Sequence, residues 1–557
     1  MISRAEALRA LERERFDVVV IGGGITGAGV ALDAASRGYS VALLERADFA
    51  SGTSSRSSKL VHGGLRYLRQ FELGLVREAL VERQLMVALA PQLVWPLPIV
   101  VPAFEGTRPD RLVGVGLNLY DVMSRGRRGR RAGEGEDSWS PARHRVIGGE
   151  EVVERLPSLA SRQPTAGYLF YDCQTDDARL VLTVLGEAER FGATCVNDVA
   201  VEELVLQRGR TVGVRAREQR SGAELVVNAD HVVNATGVWA DRLRGDELHD
   251  ETELPQIRPS RGTHITLSSA SLPLVSGAIL PAGGGRTIFA LPWLGSTLVG
   301  TTDDDYDGAL EHIAPPVEDL DYLLEAVNTF FAVELGYADI TGAFAGVRPL
   351  ISAGDAKTSV DISRRAELYE TSSGMITITG GKLTTWRRMA KMTVDRIVER
   401  DARDTPCRTE EIPLGGQVAP DSLQRVGGVG EDAYPALAAR YGHAAASVLA
   451  IAAERPALGE PIVEGFPDLL AEAVYAARSE QARGLGDVLL RRTRLGLLAA
   501  REVSGQGSGA LARVADAVAS ELDWDPLRLR AEVALFHEEA QAEGIVAASS
   551  TAGVRAA

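Results

Sequence analysis

The chain has 557 residues, 45% of them hydrophobic and 24% charged, which excludes a disordered chain and a coiled coil and predicts several packing units. Its 76 acidic and 60 basic residues give a formal charge of −16, the opposite of the bias found in nucleic-acid-binding proteins, so we expect no nucleic acid as a partner. Three cysteines without CxxC spacing and eight histidines without an HxxxH pair predict no metal site and a reducing compartment. No signal peptide and no run of about 18 apolar residues is predicted, so we expect a cytoplasmic protein with no membrane-spanning segment.

The first predicted unit is a βαβ element near the N-terminus. The β-branched run at 16–21 is typical of a buried parallel strand. A helical pattern follows and ends at Gly38, and a second strand at 39–44 leads directly into Glu45. A carboxylate at this position accepts hydrogen bonds from ribose hydroxyls. The order of these elements predicts a nucleotide-binding fold.

Three glycines between the first strand and the helix have the GxGxxG spacing: Gly22, Gly24 and Gly27. In this pattern Gly22 makes the tight turn, Gly24 admits a pyrophosphate close to the backbone, and Gly27 lets the helix approach the strand. The N-terminus of the helix then faces the phosphates. The element lies near the N-terminus and no second copy follows, which favours a permanently held FAD over a pyridine nucleotide.

A segment rich in serine and glycine follows at 51–67. It is either a flexible surface loop or a cofactor segment, and we favour the second interpretation. Its hydroxyl groups, small residues and three cationic side chains suit contact with phosphates and a flavin edge, and a helix is predicted at 65–89. The cofactor contacts predicted in this part of the chain are Arg46, Ser54, Ser58, Lys59, His62 and Gly63.

The middle of the chain alternates predicted strands with one helix. The order is a strand at 168–171, a helix at 177–191, and strands at 203–207, 211–218, 223–228 and 231–234. The last strand ends in a small turn, Ala235-Thr236-Gly237. Flavoproteins of this type place such a turn beside the adenine half of FAD, so Thr236 and Gly237 are predicted cofactor contacts.

The second half of the chain changes character twice. Alternating runs at 263–267, 287–291 and 296–301 predict an antiparallel sheet that faces the substrate. A strand and turn at 374–381 lead into a helix at 383–400. Helices rich in alanine, leucine and arginine then continue to residue 543.

Three segments resemble the FAD-dependent glycerol-3-phosphate dehydrogenase family. They are VVVIGGGITGAGVALDAASRG at 18–38, SSKLVHGGLRYL at 57–68 and GGKLTTWRRMA at 380–390. Supporting stretches are YDCQTDDARLV at 171–181, GTTD at 300–303 and GVRPL at 346–350. DVLLRRTRLGLL at 487–498 resembles the helical C-terminal domain of the same family. The similarity covers almost the whole chain.

The resemblance implies oxidation of sn-glycerol 3-phosphate to dihydroxyacetone phosphate, with electrons passed from FAD to a membrane quinone. By matching motifs, it implies that the substrate is contacted by Arg66, Tyr67, His264, Arg348, Arg364 and Lys382. It also implies that Gly381, Lys382, Leu383 and Thr384 of the GGK segment bind the cofactor. Further implied partners are the inner face of the cell membrane, as a peripheral contact, and a second copy of the chain in a homodimer.

The residue types themselves suit this chemistry. Guanidinium groups bind phosphate through two parallel hydrogen bonds, so a cluster containing Arg66, Arg348 and Arg364 fits a phosphate ester. Oxidation of an alcohol needs a base for the hydroxyl proton, and His264 is our first candidate because imidazole titrates near neutral pH. One alternative is that His264 has only a structural, hydrogen-bonded role. Arg348 would then assist loss of the hydroxyl proton through a water or electrostatically, with no classical base. Lys382 is placed to stabilise negative charge on a reduced flavin.

Two basic segments are candidates for contact with a membrane. The run RGRRGRR at 125–131 is predicted to be a solvated loop, with contact to anionic lipid as the alternative. The helix at 383–400 is basic and amphipathic, and it either packs on the FAD domain or lies on an anionic bilayer. The family resemblance favours the bilayer for this helix, since a chain of charge −16 needs a local basic patch to attach.

The predicted fold class is α/β. It combines a Rossmann-like FAD-binding domain of the glutathione-reductase-2 or D-amino-acid-oxidase type, an antiparallel-sheet substrate domain and an α-helical C-terminal domain. The predicted FAD-binding domain is discontinuous and comprises 1–90, 145–250 and 345–403. The substrate domain comprises 91–144 and 251–344, the helical domain 404–545, and the flexible tail 546–557.

Three other functions remain open at this point. The first is a glycerol-3-phosphate oxidase that passes electrons to oxygen and releases peroxide. The second is a flavin-bound interaction protein without turnover, which the set of arginine motifs argues against. The third is an amino-acid oxidase of the same fold, for which a single carboxylate-binding arginine is expected instead of a cationic cluster.

Overall fold

The computed structural model describes residues 3–68, 72–104, 111–124, 142–244, 256–283, 286–352 and 365–547. For residues 66, 111, 112, 244, 256 and 352 only the backbone is described. The basic run 125–131 and most of the predicted tail therefore lie outside the described residues. Arg364 lies outside them as well.

The strands form two sheets. In chain order they are β1 (Arg15–Ile21), β2 (Val41–Leu44), β3 (Leu60–Val61), β4 (Val94–Ala103), β5 (Arg145–Gly148), β6 (Ala166–Thr175), β7 (Thr194–Val196), β8 (Val199–Gln207), β9 (Arg210–Glu218), β10 (Glu224–Asn234), β11 (Gln256–Ser268), β12 (Gly277–Ala282), β13 (Arg286–Trp293), β14 (Ser296–Gly300), β15 (Asp304–Asp305), β16 (Ile340–Ser352), β17 (Ala366–Glu370) and β18 (Ile376–Gly380). The two sheets hold the nucleotide-binding turn and the arginine-bearing strands respectively.

Helices cover both sheets and make up the C-terminal third of the chain. They are α1 (Arg4–Arg13), α2 (Ile25–Ser36), α3 (Leu73–Leu89), α4 (Arg111–Ser124), α5 (Gly149–Arg155), α6 (Asp177–Arg190), α7 (Ala240–Arg244), α8 (Val317–Phe331), α9 (Trp386–Arg400), α10 (Ala433–Tyr441), α11 (Ala445–Glu454), α12 (Leu470–Ser479), α13 (Leu495–Leu498), α14 (Ala500–Ser504), α15 (Gly509–Glu521) and α16 (Pro526–Glu543). A π-helical turn at Asp487–Arg492 precedes α13.

The first sheet has the order β17-β18-β10-β1-β2-β7, and the β8–β9 hairpin extends it from β10. β1 pairs in parallel with both β10 and β2, so its side chains are covered on both faces. Val18 and Val20 point into a core shared with α2, α6 and α9, while Val19 points to the opposite face with Leu11 of α1. The β1–α2 turn directly follows the carboxyl end of β1, the edge of the sheet at which nucleotides bind.

The second sheet is largely antiparallel. Its order is β15-β11-β14-β13-β12-β4-β6-β3, with β16 beside β11 and β5 beside β6. Helix α8 covers one face through a core that includes Leu323, Ile265 and Leu169. The long pairing of β11 with β16 sets His264 opposite Phe344 and Ser260 opposite Arg348. The register therefore brings two predicted site residues to neighbouring strands.

The C-terminal helices share one core that reaches the second sheet through Trp293 and Phe344. Among the described residues, the stretch Ala433–Glu454 passes a test of length and apolar composition for a membrane span. Its apolar residues, such as Leu437 and Val448, are buried in this core. We therefore interpret α10 and α11 as packing helices of the domain.

The structure corrects several predicted elements. The predicted strands 223–228 and 231–234 form one strand, β10, whose burial changes from one face to both faces along its length. The switch follows from pairing, because β9 flanks its first half and β1 and β18 its second half. The helix predicted at 65–89 is a 3-10 turn at Leu65–Leu68 followed by α3.

The predicted domain boundaries also differ from the sheet membership. β6 and β5 were placed in the FAD-binding segment 145–250, yet both belong to the second sheet, as does β3 from segment 1–90. β16 crosses the predicted boundary at 344/345. The chain passes between the two sheets repeatedly, and which sheet a strand joins depends on distant partners that local periodicity does not encode.

Helix α9 packs on the FAD-binding sheet, which is the interpretation we favoured less. Its apolar residues Trp386, Met389 and Val394 belong to the core shared with α2. Its basic residues pair with carboxylates, for example Arg387 with Glu82. Because its apolar side is covered by protein, this helix has no apolar face to insert into a bilayer.

Candidate active site

A cavity of about 770 Å³ extends from the β1–α2 turn, past the second sheet, to the C-terminal domain. The predicted residues that line it are Gly22, Gly24, Glu45, Arg46, Ser54, Ser58, His62, Tyr67, Thr236, Gly237, His264, Arg348, Gly381, Lys382, Leu383 and Thr384. One continuous space therefore joins most of the predicted cofactor and substrate residues. Its elongated lining suits a dinucleotide with a small substrate at one end.

The glycines of the β1–α2 turn have two different roles: two allow close packing of the backbone, and one leaves space in the cavity. Gly22 has φ of +110° and a Cβ there would lie 2.8 Å from the carbonyl oxygen of Ala235, so a side chain is excluded by backbone on both counts. A Cβ on Gly27 would overlap the carbonyl oxygen of Gly22. A Cβ on Gly24 would instead enter the cavity, 3.0 Å from Ser54 Oγ.

The start of α2 is open to the cavity. Gly24 is the N-cap residue and has no side chain to accept from the first N–H groups, while Ser54 Oγ accepts from the Ile25 N–H at 2.9 Å. Uncapped N–H groups together with the helix dipole attract an anion. The turn thus fits a pyrophosphate, as the GxGxxG spacing predicts.

Glu45 marks the ribose end of the cavity. Its carboxylate accepts the N–H groups of Gly23 at 2.7 Å and Ala47 at 2.9 Å, which fixes its position. Burial raises the pKa of Glu45 despite these hydrogen bonds. Arg46 stacks over the Trp239 ring at 5.0 Å, giving this end a flat wall beside Thr236.

The other end joins the segment around His62 to the GGK turn. The His62 N–H donates to Thr384 Oγ1 at 3.1 Å, and that hydroxyl donates back to the His62 carbonyl at 3.3 Å. Lys382 Nζ lies 3.6 Å from the centre of the Tyr67 ring. Two segments that are more than 300 residues apart in sequence therefore form one wall of the cavity.

His264 is buried and held by a neighbour from the cofactor segment. Ser58 Oγ and His264 Nε2 are 2.9 Å apart, and the ring stacks on Phe344 at 4.8 Å. Among the described residues, Nδ1 of His264 has no hydrogen-bond partner. Burial and the positive charges of Lys59 and Arg348 lower the pKa of His264 well below its usual 6.5. The imidazole is therefore neutral at pH 7 and able to accept a proton.

Arg348 extends from β16 towards the cavity. Its Nη1 lies 3.3 Å from Asp303 Oδ1, and its Nη2 donates to Thr301 Oγ1 at 3.0 Å. Gly262 makes room for the guanidinium, since a Cβ there would collide with it. These contacts orient the planar fork, the form in which arginine recognises phosphate.

Three predicted cofactor residues do not line the cavity. The Lys59 side chain is fully buried and its ammonium pairs with Asp177 at 2.8 Å, so the prediction that it faces the cofactor is wrong. Gly63 packs against α3 and α4, where its N–H donates to Tyr120 Oη at 2.7 Å. Gly27 acts in packing alone. The Arg66 side chain and Arg364 lie outside what the structure describes, so their roles stay predictions.

The C-terminal domain contributes residues that the sequence reasoning missed. Asp487, Arg491, Leu535 and Glu539 line the same cavity. The segment 487–498 resembles a family motif, and its density of arginines in an apolar run also indicates buried ion pairs. That signal identifies an interface, but only the fold shows that the interface borders the cofactor cavity.

Comparisons with known proteins agree with this geometry. A family model described as FAD dependent oxidoreductase matches residues 17–396, and one described as C-terminal domain of alpha-glycerophosphate oxidase matches 407–529. The first covers the residues of both sheets, and the second covers most of the helical domain. A cavity of this shape thus occurs in a chain whose family binds FAD.

Several similar proteins share nearly the full length. Glycerol-3-phosphate dehydrogenase 2 of Mycobacterium tuberculosis (strain ATCC 25618 / H37Rv) is 39% identical over 97% of this chain and 90% of its own. Aerobic glycerol-3-phosphate dehydrogenase of Bacillus subtilis (strain 168) is 36% identical over 88% of this chain and 89% of its own. The solved structure of glycerol-3-phosphate dehydrogenase from Bacillus halodurans complexed with FAD has a TM-score of 0.77 and 29% identity, and it covers 98% of both chains.

Proposed function

Because this chain belongs to the family of FAD-dependent glycerol-3-phosphate dehydrogenases, we propose that it oxidises sn-glycerol 3-phosphate to dihydroxyacetone phosphate and passes the electrons to a membrane quinone. The observation that carries the proposal is the single cavity shared by the glycine turn, His264, Arg348 and Lys382. When bound, FAD supplies a two-electron acceptor for the hydride that leaves C2 of the substrate.

The chain's own residues divide the work of binding. The open N-terminus of α2 and Glu45 suit the pyrophosphate and ribose of the cofactor. Arg348 presents a fixed guanidinium fork to the phosphate of the substrate. Lys382, beside Tyr67 on the cavity wall, supplies a positive charge where negative charge develops during the reaction.

His264 is the proposed acceptor of the hydroxyl proton. Its Nε2 is hydrogen-bonded to Ser58 Oγ, and Ser58 also lines the cavity. We infer that Ser58 takes the proton from the C2 hydroxyl while it gives its own to Nε2 of the neutral imidazole. The stacked Phe344 keeps the ring in place and excludes water from one face.

Anaerobic mixing of the purified yellow holoenzyme with sn-glycerol 3-phosphate tests the proposal. We expect bleaching of the flavin absorption band at about 450 nm. Glycerol is the matched control, because it carries the same alcohol without the phosphate that Arg348 recognises. A flavin that stays oxidised with sn-glycerol 3-phosphate, or that is bleached by glycine or sarcosine instead, would overturn the assignment.

The acceptor is tested in the same cuvette. Reoxidation of the bleached enzyme by a soluble quinone, much faster than by air, is expected of a quinone-linked dehydrogenase. The second candidate is an oxidase, which the C-terminal family model brings in by its description. Stoichiometric peroxide without added quinone would favour that candidate.

We propose peripheral attachment to the inner face of the cell membrane through α4 rather than α9. Val115 and Val122 on α4 are 66% and 67% exposed, and Leu119 between them is 39% exposed. The sequence directly after α4 carries five arginines at 125–131, a charge that favours anionic lipid. On its inner side, Tyr120 of α4 contacts Gly63 in the cofactor segment, so a quinone in the membrane would arrive near the flavin.

Vesicle co-sedimentation tests this surface. The double variant Val115→Asp with Val122→Asp is expected to lose binding to anionic vesicles while the reaction with sn-glycerol 3-phosphate is retained. Leu527→Asp is the matched control, since Leu527 is 71% exposed on α16 of the C-terminal domain. Equal loss of binding in both variants would contradict the assignment.

We also propose the homodimer that the family resemblance implies, and light scattering of the purified protein tests it.

A further inference from the structure

The run Arg491–Arg494 contains three arginines whose side chains are buried. The exposed fraction is 6% for Arg491 and 0% for Arg492 and Arg494. A buried guanidinium is costly unless carboxylates or carbonyls satisfy it. Half of the partners belong to the C-terminal domain itself, and the other half, Asp48, Ser55, Asp176 and Asp177, belong to the cofactor-binding part, so the run joins the two parts of the protein.

Arg491 and Arg492 reach the ribose end of the cavity. Both pair with Asp48, which lines the cavity three residues after Glu45, and Arg492 Nη2 donates to Asp48 Oδ1 at 2.9 Å. The Asn197 amide adds a hydrogen bond to the same carboxylate at 3.2 Å. Asp48 is thereby held by three donors that lie far from it in sequence.

Arg494 reaches the other end of segment 48–59, which begins at Asp48. Its Nη2 donates to the Ser55 carbonyl and to Asp177 Oδ1, both at 2.9 Å. Asp177 in turn accepts the Ser57 N–H at 3.0 Å and Oγ at 2.7 Å, and the Lys59 ammonium at 2.8 Å. Residues 55, 57 and 59 are thus fixed by one cluster that contains a C-terminal arginine.

Ser58 lies between these fixed residues and faces the other way. Its hydroxyl contacts His264 Nε2 at 2.9 Å and lines the cavity, whereas its neighbours Ser57 and Lys59 are bonded to Asp177. Asp177 thus holds both neighbours of Ser58, through the Ser57 N–H and hydroxyl and through the Lys59 ammonium. Arg494 neutralises and orients Asp177 without touching the cavity.

We propose that Arg494 is a positioning residue for the proton transfer, and that Arg491–Arg494 attaches the C-terminal domain to both ends of segment 48–59. The inference rests on the proposed function, because Ser58 and His264 act on the substrate hydroxyl. It gives the helical domain a role in the reaction, although none of these arginines touches the reacting atoms. Misplacement of a proton acceptor by about 1 Å lowers rates by up to about 100-fold.

Stopped-flow anaerobic reduction separates positioning from stability. In Arg494→Met holoenzyme we expect the limiting rate constant of flavin reduction to fall about tenfold, while the half-saturating concentration of sn-glycerol 3-phosphate changes less than twofold. Arg494→Lys keeps the charge but not the fork, so it should recover part of the rate. Arg440→Met is the matched control, because the Arg440 side chain is also buried, at 9% exposure against 0% for Arg494, but pairs with Asp468 and Glu472 of its own domain.

A second measurement covers the case in which Arg494→Met does not fold. Asp177→Asn is expected to reproduce the loss of rate. In the double variant Asp177→Asn with Arg494→Lys, the fold-loss of rate should be smaller than the product of the two single fold-losses. A readout without turnover is the release of FAD, followed by flavin fluorescence. We expect release to accelerate at least about fivefold in Arg492→Met, which removes one of the three donors that hold Asp48, and to stay within about twofold in Arg494→Lys.

Two results would overturn the inference. One is a limiting rate within twofold of the wild type in Arg494→Met. If Arg494→Met does not fold, the equivalent result is a limiting rate within twofold of the wild type in both Asp177→Asn and Arg494→Lys. The other is an equal loss of rate in Arg440→Met, which would indicate general destabilisation. Failure of the proposed function is recognised separately, since the wild-type flavin would then stay oxidised with sn-glycerol 3-phosphate.

Discussion

Single residues in the cavity combine a charge with a fixed direction. His264 is neutral because burial and two neighbouring cations disfavour its charged form, and Ser58 fixes where its Nε2 points. Arg348 is oriented by Asp303 and Thr301 before any substrate arrives. Such preorganisation lets the groups act without rearranging during the reaction.

Replacing Arg348 tests the phosphate contact. We expect Arg348→Ala to lower kcat/KM for sn-glycerol 3-phosphate by roughly 100-fold while FAD stays bound, because a bidentate charged contact is lost and the cofactor contacts remain. Steady-state kinetics and the flavin-to-protein absorbance ratio measure both effects. Arg258→Ala, which removes an arginine paired with Asp305 away from the cavity, should have kinetics like the wild type. A colourless Arg348→Ala protein would contradict the assignment.

The pH dependence of flavin reduction tests His264. Its lowered pKa means that the rate constant is constant above pH 6.5 with respect to this group and falls at more acidic pH, as the imidazole gains a proton. Lys59→Met removes one of the two cations that lower this pKa, and leaves Arg348 as the other. The acidic fall should therefore begin at higher pH.

The control for this profile is Lys391→Met, which removes a half-exposed lysine paired with Asp395 on α9. Its profile is expected to match that of the wild type. An acidic limb that does not move in Lys59→Met would show that another group governs the pH dependence.

At the scale of elements, the β1–α2 turn shows how glycines of one motif have different tasks. Gly22 lets the turn lie against the backbone at Ala235, directly after β10, and Gly27 lets α2 approach the carbonyl of Gly22, directly after β1. Gly24 alone opens towards the cavity. The motif is therefore two packing positions and one binding position.

Substitutions separate these tasks. Gly24→Val is expected to give a folded but colourless protein, because its side chain enters the space of the pyrophosphate. Gly27→Ala is expected to destabilise the protein by about 3 kcal/mol, since the helix must move away from the strand. Circular dichroism melting and flavin absorbance distinguish the outcomes.

Gly186→Ala on α6, where no atom lies within 4 Å of the added Cβ, serves as the neutral control for the turn. It should retain its colour and melt at or above the wild-type temperature, since alanine favours a helix. A yellow Gly24→Val protein would place the pyrophosphate elsewhere.

At the scale of the whole molecule, the cofactor-binding part and the C-terminal domain are joined by a shared apolar core and by buried ion pairs. Asp48 pairs with Arg491 and Arg492, Asp177 with Arg494, and Arg179 with Glu480. Breaking one side of such a pair leaves an uncompensated buried charge. Loss of charge on these carboxylates is therefore expected to weaken the docking of the two parts.

Acid should weaken this docking. Burial alone would raise the pKa of both carboxyls, but the guanidinium groups lower that of Asp48, and Lys59 and Arg494 lower that of Asp177, below the ordinary 3.8. A depressed carboxyl pKa contributes stability that is complete above pH 3.8 and is lost as the pH falls through the lowered value. We expect tryptophan fluorescence to report a transition below about pH 4.

Asp48→Asn provides the comparison for this transition. It should lower the free energy of unfolding at pH 7 by about 3 kcal/mol and reduce its dependence on acid pH. An unchanged acid transition in this variant would mean that Asp48 does not hold the domains together.

Local patterns determined much of this protein. The β-branched run at 16–21, the GxGxxG spacing and Glu45 predicted a nucleotide-binding turn, since strand, turn and helix are neighbours in sequence. The resemblance of three segments to one family implied the substrate, together with His264, Arg348 and Lys382, which all line the cavity. These are properties of contiguous stretches, which the sequence alone contains.

Only the tertiary structure decided what depends on distant partners. It assigned β6 to the second sheet, covered the apolar side of α9 with α2, and turned Lys59 away from the cavity towards Asp177. It also brought Arg494 beside Ser55, although 438 residues lie between them in the chain. A buried charge takes the partner that the packing provides, and packing is a property of the whole fold, not of any segment.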